Sequence, residues 1–241
     1  MLGRQGRTHS INFVGLQDVG DAVELGKRYA EQGADELVYL DITATHEGRG
    51  TFTKLVERIS AEIDIPFTVG GGISSLEDAA RLLDAGADKI SINSAAVANP
   101  AIIDQIAAKY GSQFLVLAID AKQVDGIWRI TTHGGNKFAD KELISWAYEG
   151  QERGAGEILF TSMDHDGTKN GYPCETYAAL SDKLSIPIIA SGGAGSIDDI
   201  VKVLTDGKAD AALAASIFHY GEVSINEVKK ELQKRDIKVR L

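Results

Sequence analysis

The amino-acid sequence predicts an α/β fold, a (βα)8 TIM barrel built from two half-barrels, and three observations support it. Apolar segments alternate along the chain with amphipathic segments of helical period. The apolar segments show no alternation of polar and apolar residues, which is typical of parallel strands covered on both faces. Glycine-rich loops follow several of these strands, and similar motifs recur 121 residues apart. A length of 241 residues suits one barrel, so we expect residues 1–241 to form a single domain.

The predicted elements begin after a polar N-terminal segment, residues 1–17, which we expect to be a loop with a short extended piece. Apolar runs predict seven strands, at residues 36–41, 66–69, 89–93, 114–122, 157–161, 186–190 and 210–214. Amphipathic segments predict helices at residues 22–32, 51–63, 76–84, 100–109, 140–153, 176–184, 197–205 and 226–234. Residues 123–138 alternate polar and apolar positions around glycines, which predicts a β-hairpin or a mobile lid over the strand ends.

Capping residues mark where several helices begin and end. Asp21 and Ser75 stand where an oxygen can accept the first free N–H groups of a helix. Gly33 and Gly86 follow the helices that these residues open, as helix stops commonly do. Pro100 opens another helix, where its missing N–H costs nothing.

The two halves of the chain match at one nearly constant offset. Residues 33–38 match 154–159, 65–66 match 186–187 and 71–72 match 192–193 at an offset of 121, and Ser94 matches Ser216 at 122. Such a repeat predicts two half-barrels of four βα units each. Only seven strands are recognised, and the equivalent of Asp120 would fall ahead of Met1. We therefore expect the first strand to be missing, lost to a wrong start, or replaced by an improvised N-terminal segment.

Composition narrows the range of partners. The chain has 35 acidic and 25 basic residues and a net charge of −10, which argues against nucleic acid and anionic membranes. Bound phosphates would then rely mainly on backbone N–H groups. A single cysteine, Cys174, excludes an internal disulfide framework and fits a reducing compartment. The chain has no apolar stretch of membrane-spanning length and no signal-like N-terminus, so we expect a cytoplasmic location.

The strand at residues 114–122 carries Asp120 to its carboxyl end, where ligands and catalytic groups collect in α/β enzymes. We interpret Asp120 as a general acid or base, with a helix-capping or turn role as the alternative. Asp41 and Thr161 also end strands and can support such a site, whereas Asp164 and Asp166 can equally shape their loop. His46 and His165 show no metal-ligand spacing, so we expect neither a metal nor a cofactor.

Glycine loops and small residues form two equivalent predicted phosphate sites. The first combines the glycine triplet at residues 70–72, with Gly71 and Gly72 as its binding residues, with Asn93 and Ser94. The second combines Ser191, Gly192 and Gly193 with Ala215 and Ser216. Glycine lets backbone N–H groups approach a phosphate, and a helix N-terminus adds partial positive charge. A single glycine triplet can serve only a tight turn, but its duplication favours phosphate binding. Two sites flanking Asp120 predict a long substrate with a phosphate at each end.

Charged residues also lie near the starts of three strands, at Glu36, Lys89 and Glu157. Charges at that end of a barrel usually contribute to stability. A ring of paired charges there can also gate a channel through the barrel, and both interpretations stay open on the sequence alone.

Six segments together resemble the cyclase subunit of imidazole glycerol phosphate synthase: residues 67–73, 91–96, 118–122, 161–169, 188–195 and 211–216. The resemblance extends over about residues 12–241. It implies a lyase-type cyclase of histidine biosynthesis. Such an enzyme combines ammonia from a partner glutaminase with a bis-phosphorylated phosphoribulosyl-formimino aminoimidazole carboxamide nucleotide. The products are imidazole glycerol phosphate and aminoimidazole carboxamide ribotide.

The resemblance also implies roles for individual residues. Asp120 matches the second of two catalytic aspartates, while the first, which ends the family's first strand, has no match. Glu36, Lys89 and Glu157 match an ammonia gate at the face where the glutaminase docks. The residues implied in phosphate binding are those of the two predicted sites together with Asp166 and Gly167.

Three functions follow from these observations. The leading one is the cyclase. The alternatives are a catalytically impaired barrel that binds phosphates and docks a glutaminase, and the related phosphoribosyl-formimino isomerase, which shares the half-barrel repeat.

Overall fold

The computed structural model describes residues 7–8, 17–18, 21–40 and 49–240, and parallel strands dominate this part of the chain. Its strands are β1 (Arg7–Thr8), β2 (Gln17–Asp18), β3 (Leu37–Leu40), β4 (Phe67–Gly70), β5 (Lys89–Ile92), β6 (Leu115–Val124), β7 (Ile127–Thr132), β8 (Lys137–Glu142), β9 (Glu157–Ser162), β10 (Ile188–Ser191) and β11 (Ala211–Ala212). Seven strands of the main sheet follow the order β11-β10-β9-β6-β5-β4-β3, and the neighbours in this series are all parallel. The predicted α/β fold with a parallel half-barrel sheet is thus confirmed.

Helices connect the parallel strands. They are α1 (Ala22–Glu31), α2 (Arg49–Ser60), α3 (Leu76–Asp84), α4 (Ser94–Ala98), α5 (Ala101–Tyr110), α6 (Leu143–Glu152), α7 (Cys174–Ser181), α8 (Ile197–Thr205), α9 (Ser216–His219) and α10 (Ile225–Lys234). None of the helices in the described ranges combines the length and apolar character needed to cross a bilayer.

The predicted repeat appears in the positions of the elements. Helices α1 and α6 begin 121 residues apart and have the same length. The same offset relates β4 to β10 and α3 to α8. Ser75 and Ser196 cap these last two helices with φ of −149° and −151°, and each side-chain oxygen accepts the N–H of an aspartate three residues on. The two halves therefore repeat in backbone conformation as well as in sequence.

The N-terminal segment forms a separate small sheet in the described part of the chain. Strands β1 and β2 pair antiparallel, with Arg7 opposite Asp18. Among the described residues, no strand of the main sheet precedes β3. The expectation about a missing first strand concerns residues that lie mostly outside the described ranges, and it stays a prediction.

Alternate residues of each strand pack outward against the helices. Tyr39 stacks on Phe52 of α2 with ring centroids 5.8 Å apart. Phe160 contacts Tyr177 of α7 at 5.0 Å. Because side chains alternate along a strand, Asp120, which lies one position from the fully buried Ile119, belongs to the opposite face of the sheet.

A β-hairpin interrupts the alternation after β6, as the sequence predicts. Strand β7 pairs antiparallel with the end of β6, and β8 pairs with β7. The predicted helix at 140–153 begins later, at Leu143, because Glu142 pairs with Arg129 in the hairpin ladder. The predicted strand at 210–214 is likewise shorter, and only Ala211–Ala212 pairs with β10.

Candidate active site

Asp120 lies in the carboxyl-terminal half of β6. On one side of β6, the parallel neighbour β5 pairs only as far as Leu117, and the antiparallel β7 pairs from Asp120 onward. It stands opposite Thr161 of β9 in the parallel ladder and opposite Thr131 of β7 in the antiparallel one. The Asn93 side-chain amide donates a 2.9 Å hydrogen bond to Oδ2 of Asp120. The Thr131 hydroxyl donates to the Asp120 backbone carbonyl at 3.2 Å. Asn93 and Thr161 therefore hold the carboxyl, and Thr131 holds the backbone of the same residue.

The surroundings of Asp120 raise its pKa to about 7 from an ordinary value of 3.8. Burial makes the largest contribution because it disfavours the charged carboxylate, and the negative charge of Asp166 adds to it. Hydrogen bonds from Asn93 and Thr161 act in the opposite direction. A carboxyl with a pKa near neutrality can both accept and donate a proton at physiological pH, as acid–base catalysis requires.

The two predicted phosphate sites share positive φ angles in their glycine loops and have similar torsion angles ahead of their helices. Gly71 and Gly72, after β4, have φ of +107° and +66°, and Gly192 and Gly193, after β10, have +84° and +122°. Asn93 and Ala215, which precede α4 and α9, have φ, ψ of −131°, −84° and −122°, −71°. Ser94 and Ser216 are the first residues of these two helices. The duplication inferred from the sequence therefore extends to torsion angles at both sites.

Glycines of the second loop pack against the loop that follows β9. A Cβ atom on Gly192 would lie 2.6 Å from the Ser162 carbonyl oxygen and 3.3 Å from Cβ of Asp166. A Cβ on Gly193 would lie 2.1 Å from the Gly171 carbonyl oxygen. These contacts place Asp166 and the neighbouring Gly167 beside the second glycine loop.

Ser191 lies below that loop rather than on its surface. Its side chain is buried, and its backbone N–H donates to the Tyr177 hydroxyl at 3.0 Å. The Tyr177 hydroxyl donates in turn toward the carbonyls of Phe160 and Ser191, at 2.8 and 3.0 Å. The hydroxyl thus joins the ends of β9 and β10 under the glycine loop.

An aspartate in the first turn of the following helix holds each glycine loop. Asp78 accepts hydrogen bonds from the backbone N–H and hydroxyl of Ser74, at 2.9 and 3.0 Å. In the second half, Asp199 accepts from the Gly195 N–H at 3.2 Å and the Ser196 hydroxyl at 2.8 Å. Each loop is therefore fixed to the helix that leaves it, independently of the other half.

Glu36, Lys89 and Glu157 meet at the opposite ends of the strands. The Lys89 ammonium lies 2.6 Å from a Glu157 oxygen and 3.1 Å from a Glu36 oxygen. Burial opposes the charge on Lys89, but hydrogen bonds and attraction from both carboxylates outweigh it and raise its pKa. The three charges therefore form one ion-paired group, as the interpretation of a gate requires.

The sequence did not indicate one contact, which joins the hairpin to the first glycine-loop site. The backbone N–H of His133, in the turn between β7 and β8, donates to the Ser94 hydroxyl at 3.2 Å. His133 has a φ of +55°. A polar turn residue gives no signal of which distant hydroxyl it will meet, so no sequence pattern could have identified this pair.

The remaining residues singled out in the sequence lie partly within and partly outside the described ranges. Asp164 accepts the Gln123 backbone N–H at 2.7 Å, which fits its loop-shaping interpretation. Asp41 and His46 lie outside the described residues. Within the described ranges, no group of three or more His, Cys, Asp or Glu side chains is placed to hold a metal ion. The expectation of no metal and no cofactor stays a prediction.

The fold and site define a class of protein: a parallel α/β half-barrel protein with duplicated glycine loops around a half-buried carboxyl. Comparison with known families is more specific. A family model described as histidine biosynthesis protein matches residues 4–224, and the chain belongs to that family.

Curated relatives resemble the chain over nearly its whole length. One from Bacteroides thetaiotaomicron is 62% identical over 229 residues, which cover 95% of this chain and 91% of the relative. One from Parabacteroides distasonis is 56% identical over 239 residues, 99% and 95% of the two chains. One from Cytophaga hutchinsonii is 55% identical over 238 residues, 98% and 95%. All three bear the name imidazole glycerol phosphate synthase subunit HisF.

Proposed function

We propose that the chain is the cyclase subunit of imidazole glycerol phosphate synthase, a lyase of histidine biosynthesis, acting in the cytoplasm as a single barrel domain over residues 1–241. Its substrates are ammonia and the bis-phosphorylated phosphoribulosyl-formimino aminoimidazole carboxamide nucleotide. The names of the relatives support this function. The observation that carries it is the position of Asp120, with a pKa of about 7, on the strand between the two glycine-loop sites.

Each group has a defined role in the proposal. Backbone N–H groups of the glycine loops bind the two terminal phosphates, since such loops admit an anion close to the main chain. Asp120 transfers protons during ring closure, with Thr161 and Asn93 holding its carboxyl. Asp41 supports the same site. The phosphate-binding residues are Gly71, Gly72, Asn93, Ser94, Asp166, Gly167, Ser191, Gly192, Gly193, Ala215 and Ser216.

A steady-state assay with ammonium salt and the bis-phosphate nucleotide tests the proposal. We expect formation of imidazole glycerol phosphate that depends on ammonia. The related phosphoribosyl-formimino isomerase would instead show turnover that does not need ammonia. Phosphate binding without either turnover would favour the impaired barrel over the cyclase.

Asn93→Ala should move the pH dependence of kcat. The Asn93 amide donates to the charged form of Asp120 and lowers its pKa, so its loss should move that pKa further above 7. The acid limb of the profile should therefore shift to higher pH, with the shift measured from kcat between pH 5 and 9. An unshifted profile in a variant that still turns over would mean that Asp120 does not set the limb.

The ion-paired group of Glu36, Lys89 and Glu157 supports a second part of the proposal, an ammonia gate facing a glutaminase subunit. Lys89→Met should leave turnover with added ammonium salt largely intact. We expect the ratio of glutamine-dependent to ammonia-dependent turnover, measured with the cognate glutaminase, to fall roughly tenfold, a usual size for coupling between sites.

Lys208→Met is the matched control, because Lys208 forms an exposed ion pair with Asp182 at 2.8 Å. Equal ratios in the Lys89 and Lys208 variants would contradict a gate. A glutaminase that binds with no ammonia-dependent turnover at all would point to the docking barrel instead.

A further inference from the structure

Two basic side chains in β6 and β7 differ from the other lysines and arginines that are at least half-buried, because they lack a carboxylate partner among the described residues. Among the side chains that the structure describes, six lysines and arginines are buried or half-buried. Four have carboxylate partners: Lys89 with Glu157 at 2.6 Å, Lys141 with Glu149 at 3.0 Å, Arg153 with Asp104 at 2.8 Å and Lys229 with Asp35 at 2.8 Å. The other two, Lys122 and Arg129, have no carboxylate within ion-pairing distance in the described ranges.

These two basic side chains stand directly opposite each other. Lys122 of β6 pairs with Arg129 of β7 in the antiparallel register. Side chains opposed in this way have Cβ atoms about 4.5–5.5 Å apart, and like charges there are destabilising. Glu142 of β8 stands opposite Arg129 on its other side in the ladder. Even so, neither basic side chain forms an ion pair with a carboxylate of the described residues.

The pair faces the same side as Asp120. Asp120 and Thr131 are opposed two positions further along the same ladder, and alternation puts positions two apart on one face. Trp128, which precedes Arg129, points the other way, since its indole N–H donates to the Thr176 hydroxyl of α7 at 2.9 Å. Lys122 and Arg129 therefore extend the face of the candidate active site beyond its carboxyl.

The hairpin turn brings Lys122 toward the first glycine-loop site. A Cβ on Gly135 in that turn would lie 3.8 Å from Cε of Lys122, so the lysine stem passes along the turn. Two residues earlier, His133 is hydrogen-bonded to Ser94 of that site. The same short turn thus contacts the lysine and the phosphate site.

We propose that Lys122 and Arg129 jointly bind the substrate phosphate received by the first glycine-loop site. This inference rests on the proposed function and adds to it two positively charged side chains, which the glycine loop itself does not supply. A phosphate dianion between the two side chains would replace their mutual repulsion by attraction. Arginine offers a planar fork that matches phosphate oxygens, and lysine offers a compact charge.

Arg129→Met and Lys122→Met in the full chain test the proposal, with Lys137→Met as the matched control. Lys137 lies in β8 of the same hairpin and is exposed. Inorganic phosphate is the probe, titrated by calorimetry in phosphate-free buffer. We expect each of the first two variants to weaken phosphate binding roughly tenfold or more, as loss of a charged hydrogen bond does, and the control to change it less than twofold.

The urea midpoint of unfolding, measured without phosphate, distinguishes a binding role of Arg129 from a purely structural one. Because each substitution removes a like-charge repulsion, the midpoint of urea unfolding should stay the same or rise in Arg129→Met. A lowered midpoint together with unchanged phosphate binding would show that Arg129 only packs the hairpin, and would overturn the proposal.

The cyclase assay separates this inference from the proposed function. If the parent chain lacks turnover but Arg129→Met weakens phosphate binding, the anion site stands and the proposed function fails. If the parent turns over and Arg129→Met leaves both phosphate affinity and KM unchanged, the function stands and the anion site is refuted. When both hold, KM for the bis-phosphate should rise more than kcat falls.

Discussion

Asp120→Asn should lower kcat about 10²- to 10⁴-fold while leaving the fold intact. The amide has nearly the shape of the carboxyl, so the side chain can stay in contact with Asn93 and Thr161. It can no longer take up and release a proton near pH 7. Turnover with saturating ammonium salt measures the loss. Asp140→Asn, an exposed position in the hairpin, is the control and should retain parental kcat.

The same substitution should change how stability depends on pH. The folded state keeps a proton on Asp120 up to about pH 7, whereas an ordinary carboxyl releases it near pH 3.8. The folded state therefore binds more protons in this window, and parental stability falls as the pH rises through it. Asp120→Asn removes that dependence, so its stability relative to the parent should increase between pH 4 and pH 8, by roughly 4 kcal/mol at most.

Urea unfolding at the two pH values measures this difference. Parallel stability curves for parent and variant would show that the Asp120 carboxyl is ordinary. A parental kcat in the variant would remove Asp120 from the chemistry even if the curves differ.

Gly193→Ala should be the most damaging substitution in the second glycine loop. A Cβ there would lie 2.1 Å from the Gly171 carbonyl oxygen, and the residue has a φ of +122°, which side chains rarely adopt. The neighbour is backbone, so the loop must move. We expect a loss of about 3 kcal/mol or more in unfolding free energy, together with weaker binding of inorganic phosphate.

Gly221→Ala separates the clash from the backbone conformation. Gly221 also has a positive φ, +65°, but a Cβ there meets nothing within 4 Å. Its replacement should therefore cost only about 1 kcal/mol. Equal losses for the two variants, measured by urea unfolding, would mean that the second loop adapts freely and that its close packing has no functional weight.

The sequence predicted best where local and repeated signals agree. Asp21 and Ser75 cap helices as expected, and the 121-residue offset relates α1 to α6 at both ends. Asp120 could be identified because a long apolar strand leads up to it. These features depend on neighbours within one turn or one strand, or on comparison of the chain with itself.

Features that depend on strand register could not be predicted in this way. Nothing local indicates that Arg129 will face Lys122, because a shift of one residue would turn it to the other side of the sheet. The bond between His133 and Ser94 joins positions 39 residues apart through a turn without a pattern of its own. The boundary at Glu142 was wrong because pairing in the hairpin outweighs the helical pattern of its sequence.

The ion-paired group of Glu36, Lys89 and Glu157 also shows that the sheet is curved. Glu36 precedes β3 and Glu157 begins β9, and four strand spacings, about 19 Å in a flat sheet, separate these strands. Yet oxygens from both residues lie within 3.2 Å of one nitrogen. Lys89 begins β5, midway between them, and the two glutamate side chains with their contacts to its nitrogen do not reach across a flat sheet. The sheet must therefore curve and bring the starts of β3 and β9 closer together. Attraction among these three charges therefore favours the curved form of the sheet, in addition to linking three of its strands.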